Sequence, residues 1–140
     1  TNKWLNLAND LSQYYNVIIV GLDISISHAF RSLESDKIIN LIGKTNLVEV
    51  MEIIALSEGV ISNDSGLMHV SASLDKKIIA IYGSSSPTYT PPLISKEKRD
   101  IIYKNLDCSP CFKRVCPLGH TKCLNDIKVD EVKESVTKLF

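Results

Sequence analysis

The sequence lacks an excess of either charge, since 16 Lys and Arg residues balance 16 Asp and Glu. Domains that bind nucleic acid carry a basic excess, so no nucleic-acid partner is expected. No apolar run approaches the ~18 residues of a membrane-spanning helix, and the start carries no secretory signal pattern. Peripheral contact with a membrane stays open. Cysteine is absent before Cys108, and all four cysteines fall between Cys108 and Cys123. Such clustering without a signal peptide argues against a secreted disulfide framework and favours reduced thiols or a metal site. Internal repeats and low-complexity stretches are missing too. With 44% hydrophobic residues in 140, the chain can bury a core, which excludes disorder.

The length suits one domain, by a soft prior of ~100–200 residues each. The chain opens at Thr1 rather than Met and begins within a helical pattern, so a longer parent protein is expected. Trp4, Leu7, Ala8 and Leu11 have helical spacing, as do Ile26, Ala29, Phe30 and Leu33. Short β-branched runs at Val17 to Val20, Ile38 to Ile42, Val60 to Ile61 and Ile78 to Tyr82 read as strands. Asn46 is placed to cap a helix whose inner face is Leu47, Val50, Met51 and Ile54. Leu67, Val70 and Leu74 mark one face of the next helix. Asp100 to Tyr103 suits one more strand, and Val129, Val132, Val136 and Leu139 a closing helix. Alternating strands and helices imply a Rossmann-like, doubly wound α/β fold with a parallel sheet covered on both faces. Ligands of such sheets lie beyond the C-terminal strand ends. Gly21, Gly43, the Asn63–Gly66 turn and the Gly83–Pro87 loop all belong to that edge.

The stretch Asn63-Asp64-Ser65-Gly66-Leu67-Met68-His69 leads from a strand straight into a helix. Free N–H groups and the dipole at a helix start favour an anion such as a diphosphate. Gly66 permits close approach, and Ser65 adds a hydroxyl. Asp64 repels phosphate and suits sugar hydroxyls or the helix cap. His69, one turn on, can reach a phosphate or sugar oxygen. A plain N-cap at Asp64 or Ser65 and a half-buried structural histidine account equally well for these residues taken singly.

Cys108-x2-Cys111-x4-Cys116-x6-Cys123 has one short chelating spacing. Four thiolates so close together suit a structural zinc, with His120 a spare ligand; an iron–sulfur cluster needs the same four. Free thiols and disulfides are the remaining readings.

The wording of Ser62-Asn63-Asp64-Ser65-Gly66-Leu67-Met68-His69-Val70 resembles the signature of the ADP-heptose:lipopolysaccharide heptosyltransferases, closest to the heptosyltransferase II members. Asn40-Leu41-Ile42-Gly43-Lys44-Thr45-Asn46-Leu47 resembles the family segment before that signature. Tyr82-Gly83-Ser84-Ser85-Ser86-Pro87 and Thr90-Pro91-Pro92-Leu93 resemble the loop after it. Lys3-Trp4 resembles the basic-Trp-Pro start of the donor domain, with Leu5 in place of Pro. The cysteine segment, with Lys113 and Arg114, is found in only some of these sequences.

The resemblance implies the C-terminal half of a glycosyltransferase B fold. Residues 1–140 would be the nucleotide-sugar domain, and the acceptor domain would lie outside this chain. It implies transfer of heptose from ADP-heptose to the inner core of lipopolysaccharide, with inversion, at the cytoplasmic face of a Gram-negative inner membrane. No cofactor is required for transfer, and no catalytic base falls in this chain. Donor contacts carry over to Lys3, Asn40, Asp64, Ser65, Gly66, Leu67, His69, Gly83 and Ser84. Two other readings compete: a related glycosyltransferase or epimerase with another nucleotide sugar, and a metal-binding interaction module built on the cysteines. Nucleobase preference separates the first two, and metal without nucleotide affinity marks the last.

Overall fold

A computed structural model describes residues 1–140. Its elements run α1 (Asn2–Leu11), β1 (Val17–Ile19), α2 (Ile24–Arg31), β2 (Ile38–Asn40), α3 (Leu47–Leu56), β3 (Gly59–Asn63), α4 (Gly66–Ser73), β4 (Lys77–Tyr82), β5 (Arg99–Tyr103), α5 (Lys122–Asn125) and α6 (Val129–Leu139). This is the strand–helix alternation expected from the periodicity. Contacts gather the chain into two compact units, Thr1–Glu52 and Ile53–Phe140, divided inside α3.

In the first unit β1 and β2 pair in parallel, with Val17 opposite Ile38 and Ile19 opposite Asn40. Asp23 caps α2 by accepting the Ser25 N–H at 3.0 Å, which satisfies one of the otherwise unpaired first-turn donors. Leu7, Ala8, Phe30 and Ile38 are buried. Strand side chains alternate between faces, so Ile38 and Asn40 point inward and Ile39 outward. Ile39 and its partner Ile18 are 47% and 43% exposed. The expected cover on both sheet faces is therefore missing at this pair.

Asn46 does cap α3, through a reciprocal box. Its Oδ1 accepts the Glu49 N–H at 3.0 Å, and Glu49 Oε2 accepts the Asn46 N–H at 2.8 Å. The buried stripe of α3 is Val50 and Ile54, whereas Leu47 and Met51 lie exposed. Leu-Val-Glu-Val-Met-Glu-Ile-Ile-Ala-Leu is apolar nearly all round, so periodicity alone does not select a face.

In the second unit β3, β4 and β5 form a parallel sheet with β4 central. Val60 lies opposite Ile78 and Asn63 opposite Ile81; Tyr82 lies opposite Tyr103. Ile78, Ile79, Ala80 and Tyr82 are fully buried, as a near-continuous apolar run in a central parallel strand should be. Ile78, Ala80 and Tyr82 share a cluster with Met68 and Ala72 of α4, while α6 packs on β4 and β5.

The buried face of α4 is Met68, Ser71 and Ala72, not Leu67, Val70 and Leu74. Small residues let the helix come close to the sheet, and Met fills what they leave. The Ser71 hydroxyl donates to the Leu67 carbonyl at 2.7 Å, so its burial leaves no unpaired group. Met68, fully buried, is thus the anchor. We expect Met68→Ala to lower unfolding free energy by about 2–5 kcal/mol, as truncation of a buried residue does. Leu74→Ala, at a partly exposed site, should cost clearly less in the same denaturant titration.

Candidate functional site

The turn from β3 into α4 is fixed by the sheet. The Asp64 N–H donates to the Ile81 carbonyl at 3.0 Å, carrying the β3–β4 ladder one residue past the strand. Ser65 is extended, with φ −157° and ψ 168°, and stands at the N-cap without making a capping hydrogen bond. Its hydroxyl lies instead 3.1 Å from Ser62 Oγ. The first-turn amides of α4 are therefore left without a side-chain cap. A Cβ added at Gly66 would meet no atom within 4 Å. Glycine is not demanded there by the packing of this chain, and the helix start faces open space.

Asp64 is held on a fixed heading. Thr90 Oγ1 donates to Asp64 Oδ2 at 3.0 Å, and His69 Nε2 stands 4.0 Å from Oδ1. The latter is ion-pair range rather than a hydrogen bond. The Asp64 side chain is 16% exposed and that of His69 45%. Thr90 is itself secured: its carbonyl accepts from the buried Tyr82 hydroxyl at 2.6 Å, and its N–H donates to the Ser86 carbonyl at 3.2 Å. Burial, aided by the negative charge of Asp64, pushes the Tyr82 phenol up to about 12. Thr90 and Tyr82 are the residues that reading the sequence left out of the site. The Thr-Pro-Pro run after the loop was the only signal, and nothing local says that it returns to Asp64.

Gly83 follows β4 and is buried; a Cβ there would lie 2.8 Å from the Leu124 side chain of α5. The Ser84 carbonyl accepts from the N–H groups of Cys111 at 3.0 Å and Phe112 at 2.8 Å. This part of the loop thus supports the cysteine segment. All four cysteines are partly buried and unbridged. They line one cavity together with Ser84 and His120, although no three ligand groups already stand as a metal-binding set. Backbone N–H groups, that of Thr121 foremost and those of Leu118, His120 and Gly119 besides, draw the Cys116 thiol down, while burial pushes Cys123 up.

Asp64, Ser65, Gly66, Leu67 and His69 are thus grouped at the C-terminal edge of the second unit's sheet, with Gly83 and Ser84 leaving the neighbouring strand. Lys3 and Asn40 belong to the first unit. Lys3 is exposed in the first turn of α1. Asn40 is 2% exposed and its amide is spent internally: Nδ2 donates to the Ser27 carbonyl at 3.1 Å, and Oδ1 accepts from Ile42 N–H at 3.2 Å. Its side chain is therefore a strut of the β2–α2 packing and is not presented to a ligand. Its backbone carbonyl does accept from Lys44 Nζ at 2.8 Å.

The second unit thus sets an uncapped helix start beyond a parallel strand beside a fixed carboxylate, donors and an acceptor chemically suited to an anionic, hydroxylated ligand. The model of glycosyltransferase family 9 (heptosyltransferase) matches residues 2–122, and the chain belongs to that family. It is 32% identical over 140 residues to lipooligosaccharide heptosyltransferase 2 of Campylobacter jejuni, covering 96% of this chain and 44% of that protein. Lipopolysaccharide heptosyltransferase 2 of Salmonella typhimurium is 49% identical over 101 residues, which is 72% of this chain and 28% of the relative. The solved structure of E. coli ADP-heptose lipopolysaccharide heptosyltransferase II superposes with a TM-score of 0.79 at 30% identity, over 98% of this chain and 40% of that one. The chain spans less than half the length of these relatives.

The buried phenol makes stability depend on alkaline pH. Tyr82 has a folded value near 12 against an ordinary 10, so the neutral form's contribution is whole below pH 10 and lost as pH rises through 12. Thermal unfolding midpoints should fall across that window, and the fall should be shallower in Tyr82→Phe than in the parent.

Proposed function

We propose that this chain binds the nucleotide-sugar donor of an inverting heptosyltransferase, with ADP-heptose as donor and the inner core of lipopolysaccharide as acceptor. The single observation that carries the reading is the uncapped α4 start beside a carboxylate locked by Thr90. Family membership and the ADP-heptose named for the E. coli relative support the choice of donor.

Displacement at an anomeric carbon leaves negative charge on the departing diphosphate. The amides of Gly66 and Leu67, with the dipole of α4, offer that charge donors which are already oriented. A Gly at 66 lets a phosphate oxygen come to the backbone itself. Asp64 would repel the diphosphate if it stood free. With Oδ2 taken by Thr90, it is directed to accept from sugar hydroxyls. His69, exposed one turn along the helix, supplies a further donor to phosphate or sugar oxygen. Lys3 is kept as a cation for the donor on the strength of the family resemblance alone. The acceptor and the catalytic base are assigned outside this chain, transfer needs no cofactor, and the place of action is the cytoplasmic face of the inner membrane. No helix of this chain is long and apolar enough to cross a membrane.

The test is calorimetric titration of the full-length protein with ADP and with UDP, repeated on Gly66→Val. ADP should bind and UDP should bind at least about tenfold more weakly, a difference of ~1.4 kcal/mol. Gly66→Val should cost ADP affinity by a similar factor while changing the unfolding midpoint little, because a Cβ at this exposed position meets none of the chain's own atoms. A preference for UDP would overturn the donor assignment. Unchanged ADP affinity in Gly66→Val would remove the α4 start from the site.

A further inference from the structure

Between the end of β5 at Tyr103 and the start of α5 at Lys122 the chain has neither helix nor strand. Irregular segments longer than ~12–15 residues are uncommon within compact domains and need a reason to stay ordered. Apolar burial supplies little of one here. Phe112, Val115 and Leu118 are 57%, 82% and 61% exposed, and Leu106 is the segment's one partly buried bulky apolar residue. The four cysteines and His120 are partly buried and line one cavity.

Two further observations bear on what the sulfurs do. The turn from Cys116 to Thr121 needs left-handed backbone at Gly119 and, at a cost, at Thr121, with φ of 69° and 48°. His120 Nδ1 accepts from the Lys122 N–H at 3.0 Å, so the neutral ring carries its proton on Nε2 and is a donor rather than a ligand. This leaves four sulfurs as the donor set.

We infer that Cys108, Cys111, Cys116 and Cys123 bind one structural zinc ion, which orders the 104–121 segment where apolar burial supplies little. A tetrathiolate donor set suits zinc, and four protein ligands close the site against solvent chemistry. The sulfurs line one cavity but no three are yet drawn together, so binding closes them on the metal. In the balanced step the hydrated Zn²⁺ sheds its waters and the four thiols release four protons to solvent. Four S–Zn bonds form, the complex carries charge −2, and no electron changes hands. Lys113 and Arg114 follow Cys111 in the exposed part of the same loop. The ion also steadies the strand end: Cys111 and Phe112 hold the Ser84 carbonyl, and Leu124 of α5 lies on Gly83. The site requires no nucleotide, so it stands or falls separately from the donor assignment.

The experiment is metal analysis of the full-length protein purified under reducing conditions, with trypsin cleavage at Lys113 and Arg114 as a second readout. About one zinc per chain is expected, and chelation should speed that cleavage at least tenfold. Cobalt in place of zinc should show the intense thiolate-to-metal absorption of a tetrahedral site, a measurement on the unaltered protein that does not depend on any variant folding. In Cys108→Ser/Cys111→Ser the zinc should be lost. Iron with acid-labile sulfide would overturn the inference. So would two disulfides in the unreduced protein, zinc below a tenth of an equivalent, or full zinc retention in that double variant.

Discussion

Everything in the second unit depends on β4 being buried on both faces. A strand with no exposed side must find partners at both edges and cover above and below. It takes β3 and β5 as edges, Met68 and Ala72 as cover on one face, and draws α6 onto the sheet as well. Its last residue is the exception that gives the unit its chemistry. Tyr82 carries a hydroxyl into full burial, where an unpaired polar group is costly. The hydroxyl lies 3.5 Å from Met68 Sδ, and its short bond comes from the chain after Pro87, which returns to offer the Thr90 carbonyl at 2.6 Å. The requirement to pair one phenol thereby brings a threonine hydroxyl against Asp64.

This places the stability of the core and the geometry of the proposed donor edge in one hydrogen-bonded path: Tyr82, Thr90, Asp64. Asp64 is fixed from two sides, by the β3–β4 ladder through its N–H and by Thr90 through its carboxylate. A carboxylate so restrained loses little freedom on meeting a ligand, which is how preorganisation contributes to affinity. The helix start beside it is left bare because Ser65, the residue that could cap it, turns toward Ser62.

The order of strands and helices was legible because each β-branched run is short and ends at glycine or a polar turn. The turn at Asn63–Gly66 was legible because strand, turn and helix follow without a break. Helix faces were read less well. In α4 the bulky Leu67, Val70 and Leu74 outweighed Met68, Ser71 and Ala72 on hydrophobicity, yet close packing on a sheet prefers small side chains. In α3 nearly every residue is apolar, so no stripe stands out. Asn40 looked like a ligand contact from its place at a strand end, and burial turned it into a strut on Ser27. Thr90 was unreadable as a partner of Asp64, since 26 positions separate them in the chain and only the fold closes that distance.

Gly66 has a consequence for how this chain can vary. A residue kept small by its neighbours is penalised in the folded protein itself when it grows. Here a Cβ would enter open space, so folding by itself exerts no pressure on the position beyond a preference for better helix formers than glycine. Selection for thermal resistance alone would drift away from glycine at 66, and selection for occupancy of the helix start would hold it. The position separates the two pressures, and its identity in a lineage records which of them has been acting.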